Sequence, residues 1–113
     1  MYAGPWDIHD ASIVHVTQSN NKLFVDIKAD DFWGGRKFQL IFDGVTEAKS
    51  KNPEGFLLYG LWQDGENPPY QYKFLPEEDD DPAFLKVTAT GLIYDEPPCS
   101  LDEFYESHRP REK

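Results

Sequence analysis

DASIVHVTQSNNKLFVDIKA, residues 10–29, is two alternating apolar runs on either side of Asn20-Asn21, and that period of two decides the fold. Successive side chains of a strand point to opposite faces, so alternation around a short polar break reads as a β-hairpin. Its strands run from about Ala11 to Thr17 and from about Lys22 to Ala29. Asn tolerates positive φ, so a two-residue Asn20-Asn21 turn suits the type I′ conformation. Val16 then faces Val25, Val14 faces Ile27 and His15 faces Asp26, with Val14, Val16, Leu23, Val25 and Ile27 on the core face. Moving the turn to Ser19-Asn20 changes the partners but not the faces. The opposite face, with Ile13, His15, Thr17, Phe24, Asp26 and Lys28, is mixed.

Every later segment can be fitted as a further strand. Before the hairpin, residues 1–9 form an irregular lead-in whose Trp6 has a packing role. After it, Asp30-Asp31-Phe32-Trp33-Gly34-Gly35 is a glycine-terminated turn that pushes Phe32 and Trp33 toward a loop tip. Residues 36–44 alternate Phe38, Leu40 and Phe42 against Lys37, Gln39 and Ile41, and the polar stretch from Thr46 to Gly55 reads as an exposed loop. Phe56 to Gln63 is apolar on both faces, as expected of a central or sandwiched strand. Asp64 to Pro69 is a turn and Tyr70 to Leu75 a strand. The acidic run Glu77, Glu78, Asp79, Asp80, Asp81 follows between Pro76 and Pro82, which cannot continue a ladder. A last strand from about Ala83 to Tyr94 is split or bent at Gly91. Beyond Pro97-Pro98, Ser100 and Glu103 match a capping box, and Leu101, Phe104, Tyr105 and His108 recur at helical spacing. The expected architecture is mainly β: one domain over residues 1–113, an antiparallel sheet, sandwich or half-open barrel of about six strands over 10–95, and a short C-terminal helix over 99–109.

Composition narrows the function classes. The chain has 113 residues, 39% hydrophobic and 15% aromatic, enough to fold as one domain despite a net charge of −10. An excess of 21 acidic over 11 basic side chains argues against nucleic acid and anionic membranes as partners. It fits plain solubility, and equally a basic protein partner, since complementary fields speed encounter and fix orientation. The lone Cys99 permits no internal disulfide and no Cys-rich zinc site, which fits a reducing cytoplasm. No basic region followed by an apolar run opens the chain, and no stretch reaches the roughly 18 apolar residues of a spanning helix.

No catalytic apparatus is recognisable, and neither a cofactor nor a metal is expected. His9-Asp10 suggests the His-Asp phosphohydrolases, but those enzymes need helical scaffolding and further histidines, whereas this pair leads into a strand. His9 and His15 on one strand stand roughly 20 Å apart, too far for one ion. Both residues of the His9-Asp10 pair are read as strand-entry devices that bond the backbone, and His15 with Asp26 as a structural cross-strand pair. The run from Glu77 to Asp81 lacks the length and central glycine of a calcium loop. Cys99 has no identified His partner, and no nucleophile elbow, P-loop or dinucleotide fingerprint occurs. The remaining candidates for binding are the loops Asp30, Asp31, Phe32, Trp33 and Glu77 to Asp81, with Trp62 and Tyr70 as further aromatic anchors.

The succession WDIHDASIVHV, NNKLFVDI and FQLIFDGV between Trp6 and Val45 resembles a broad group of small bacterial proteins that begin with His-Asp, a strand and a hairpin. Some members of such groups resemble immunity proteins of polymorphic toxin systems. The likeness covers the first third of the chain best and carries over no catalytic residues. It implies a non-catalytic, acidic protein-binding domain of the immunity type that neutralises a basic toxin. Two alternatives stand beside it: a small-molecule or carbohydrate-binding β module with Trp33, Trp62 and Tyr70 lining a groove, and an enzyme whose site leaves no sequence signature.

Overall fold

A computed structural model describes residues 1–78 and 84–97 of the chain. Asp79 to Asp81, Cys99 and the helix expected over 99–109 lie outside the described residues. Within them the chain is mainly β, with strands β1 (Tyr2–Ala3), β2 (Ser12–Ser19), β3 (Lys22–Lys28), β4 (Lys37–Asp43), β5 (Glu47–Lys51), β6 (Leu58–Asp64), β7 (Tyr70–Pro76), β8 (Phe84–Ala89) and β9 (Gly91–Ile93). They form two antiparallel sheets. One has five strands in the order β1-β6-β7-β8-β5, the other four in the order β2-β3-β4-β9. No described helix is long and apolar enough to cross a membrane.

The inner faces pack on each other. Leu23, Val25, Ile27, Leu40 and Phe42 from the four-stranded sheet meet Leu58, Leu61, Tyr72, Phe74, Leu85 and Val87 from the other. Phe42 stands between the layers, its ring edge-on to Tyr72 at 5.0 Å and to Phe74 at 5.8 Å. Such edge-to-face pairs add about 0.5–1.5 kcal/mol each beyond area burial.

The hairpin forms as its alternation dictates, with two corrections. Val16 faces Val25 and His15 faces Asp26, but it is Ile13, not Val14, that faces Ile27. The register shifts between Ile13 and His15, so Val14 is the extra residue of a β-bulge and turns outward, 52% exposed, while Ile13 is buried. A bulge sets two residues against one and reverses the face of everything beyond it. The turn is Asn20-Asn21, closed by Ser19 opposite Lys22. Of the two asparagines only Asn20 has positive φ, so it is not a type I′ turn, which needs positive φ at both.

One further segment departs from expectation. Glu47–Lys51, read as loop, is β5, an edge strand paired with β8 and exposed at every residue. Phe56 to Gln63 overlaps β6, which is flanked on both sides as expected, by β7 and by the two-residue β1. A second bulge, between Leu58 and Gly60, buries both Leu58 and Leu61 and leaves Leu57 and Tyr59 half exposed.

The last strand run does split before Gly91, and the two halves join different sheets. β8 belongs to the five-stranded sheet and β9 pairs with β4 in the other. The crossing at Thr90 is fixed to Asp43, whose carbonyl accepts from the Thr90 backbone N–H at 2.9 Å and from its hydroxyl at 3.0 Å. Gly44 lies under this contact with φ 62°, and a Cβ there would collide with the Thr90 side chain. Position 44 therefore needs glycine for its backbone and for its neighbour.

Candidate functional site

The bulge that opens β6 gathers three segments. The carbonyls of Leu57, Leu58 and Tyr59 accept in turn from Glu77 N–H at 3.3 Å, Asp10 N–H at 2.8 Å and the His9 Nδ1–H at 2.9 Å. A bulge leaves backbone groups outside the ladder, and here the N-terminal segment and the end of β7 take them up. Asp10 adopts positive φ of 66°, a conformation uncommon for residues other than glycine but easier for Asp than for most. It follows the 3-10 turn Trp6–Ile8 and reverses the chain into β2.

This brings carboxylates together. The Glu77 carboxyl hydrogen-bonds to that of Asp10, and its pKa is raised to about 7. The Asp10 hydrogen bond is the largest cause, followed by desolvation and the charges of Asp10 and Asp30, with His9 acting in the opposite direction. The His9 Nε2 lies 3.7 Å from Asp10 Oδ2, and the ring stands edge-on to Tyr59 at 5.2 Å.

Asp30 reaches this corner through the loop after β3. Its carboxylate caps the 3-10 turn Asp31–Trp33 by accepting from Phe32 N–H at 3.0 Å, and Gly34 closes the turn in the left-handed conformation. The turn folds back on the N-terminal segment. Trp33 is therefore not at an exposed tip: it is 7% exposed, edge-on to Trp6 at 5.6 Å. Phe32, Asp31 and Glu78 remain exposed, with Asp31 3.5 Å from Lys28 Nζ. Asp10, Asp30 and Glu77, carried by three segments, thus form an acidic corner rimmed by exposed Phe32, Leu57 and Tyr59.

Below the corner lies a pair that sequence reading missed. Asp7 is the buried charged residue of the core, 1% exposed, and Arg36 holds it with a two-pronged contact: Nε to Oδ2 at 2.9 Å and an Nη to Oδ1 at 3.0 Å. The guanidinium also lies 4.4 Å over the Phe38 ring. A buried carboxylate needs such a fork. The available signal was an acid between the apolar Trp6 and Ile8; nothing local pointed to Arg36.

The other predicted residues are dispersed. His15 does not pair with Asp26: its Nδ1–H donates to Glu54 Oε1 at 2.9 Å, and Asp26 accepts from Gln39 Nε2 at 2.9 Å. The cross-strand register is as expected, but both side chains find longer-reaching partners. The aromatic groove of Trp33, Trp62 and Tyr70 is not assembled. Trp62 shares the outer face of the five-stranded sheet with its neighbour Lys73, its indole N–H donating to Asp64 Oδ1 at 2.8 Å, whereas Tyr70 packs against the core. His9 and Asp10 do act at strand entry, and they also face Glu77. Among the described residues no group of three His, Cys, Asp or Glu side chains is arranged to hold a metal ion. Comparison of the chain with protein-family models, curated proteins and solved structures finds no match.

Proposed function

We propose that this is a non-catalytic binding domain that captures a basic protein at the acidic corner, in the manner of an immunity protein neutralising a basic toxin. The observation that carries the reading is the crowding of Asp10, Asp30 and Glu77, tight enough to keep a proton on Glu77 near neutrality. An arriving Lys or Arg relieves that repulsion and displaces the proton, so the corner gains most from a cationic partner. Exposed Phe32, Leu57 and Tyr59 beside it supply the apolar anchors that charge alone does not.

The test is recovery of a partner from the source cell, then titration with that purified protein. A basic partner is expected, with an on-rate that falls as salt rises. Calorimetry near pH 7 in buffers of different ionisation enthalpy should show proton release, lost in Glu77→Gln. Charge reversal by Glu77→Lys, which spares the Asp30 cap, should abolish capture while the fold survives. A partner that is not basic, or one indifferent to the charge reversal, overturns the reading.

A further inference from the structure

The outer face of the five-stranded sheet carries a feature of opposite sign. Tyr2 faces Trp62, Trp62 faces Lys73, Lys73 faces Lys86 and Lys86 faces Lys49. Directly opposed residues share a face, so these residues make one row across all five strands, with three lysines on adjacent strands. Lys51 follows on the same face of β5, opposite Phe84. Like charges in register oppose sheet formation, and in a chain of net charge −10 their gathering on one face is not a consequence of composition.

Carboxylates flank the row without neutralising its centre. Lys73 Nζ lies 3.6 Å from Asp64 and Lys49 Nζ 3.5 Å from Glu47. Lys86, between them, makes no ion pair among the described residues and lies 5.9 Å over the Phe84 ring. The surface dips here into a groove of about 310 Å³ lined by Lys49, Lys73, Lys86, Glu47, Gln71 and Thr88. Neighbouring strands stand about 4.8 Å apart, so the three lysines span roughly 10 Å, the reach of a di- or triphosphate group.

The geometry points to this groove as a binding site for a compact oligophosphate, with Lys86 as its central contact and Lys73 and Lys49 on either side. An extended polyanion is disfavoured, since the rest of the acidic surface repels a long chain while a short one meets only the local field. The phosphates belong either to a free oligophosphate or to a nucleoside ester whose base reaches Trp62 at the end of the row.

Amide-resolved NMR titration of the whole chain at low salt tests this, with tripolyphosphate and adenosine triphosphate as probes. Resonances of Lys49, Lys73, Lys86 and Thr88 should shift, and Lys86→Gln should weaken binding about tenfold, with Lys86→Arg retaining it. Lys22→Gln, at the hairpin tip of the other sheet, should bind as the unaltered protein does. An unchanged melting temperature in Lys86→Gln confirms that the loss is not one of folding. Tighter binding of the nucleoside ester with a change in Trp62 fluorescence assigns the nucleotide; equal affinities assign the free oligophosphate. Absence of shifts on this face with both probes at millimolar concentration, or equal affinity in Lys86→Gln, overturns the proposal.

Discussion

Asp7 and Asp10 stand three positions apart on the N-terminal segment and are held in opposite ways. Asp7 is buried and gripped by the Arg36 fork; Asp10 is half-buried and faces another acid, Glu77. The first arrangement is demanded by burial, because a desolvated carboxylate without a cation is untenable. The second follows from the β6 bulge, whose Leu57 and Leu58 carbonyls hold the Glu77 and Asp10 backbones side by side. Asp10 is half-buried and Glu77 exposed, and partial desolvation helps to raise the Glu77 pKa. The proposed capture of a cationic partner rests on this second arrangement.

The contrast can be broken most forcefully at Arg36. Arg36→Ala leaves Asp7 buried and unpaired, and urea denaturation should show a loss of about 3–5 kcal/mol. Asp7→Leu combined with Arg36→Met should recover most of it, since an apolar pair of similar volume removes the stranded charge. If the single variant costs no more than a surface substitution, Asp7 and Asp10 are not distinct in kind.

A smaller effect sharpens the other side. Glu77 has a higher pKa in the fold, about 7, than its ordinary 4.5. Its contribution to stability is therefore fully present below about 4.5 and is lost as pH rises through about 7. Melting temperatures of the unaltered protein should fall relative to Glu77→Gln across that window, modestly, because exposed groups are screened by solvent. A parallel course for the two proteins would mean that Asp10 and Glu77 do not share a proton. Smallest of all, His15→Ala removes an exposed pair with Glu54 and should change stability by no more than about 0.5 kcal/mol in thermal melts.

The hairpin was legible because its inner residues alternate, and alternation survives any choice of turn. Val14 was not, because a bulge adds a residue without altering composition; Ile13 and Val14 are equally apolar, and only packing decides between them. EAKSK, residues 47–51, carried no strand signal at all. It is exposed on both faces, so its place is set by the backbone groups of β8 rather than by any side chain. The Asp30 and Glu77 loops were singled out separately, the first for its aromatics and the second for its charge, and their meeting was not legible because it depended on the β6 bulge and on the positive φ of Asp10. Trp33 was placed outward because its loop ends in two glycines, whereas the Asp30 cap and Gly34 curl the turn inward. The lysine row was hidden for a simpler reason: its members lie on three strands distant in sequence.

The crossing at Thr90 bears on how the chain is made. β1 finds its place only on β6, and the four-stranded sheet is finished only by β9. Neither layer can be completed until most of the chain has left the ribosome. Such distant pairings slow folding, so the nascent chain spends its synthesis with half-built sheet edges exposed. A protein arranged this way closes both layers together, once β9 is available to β4.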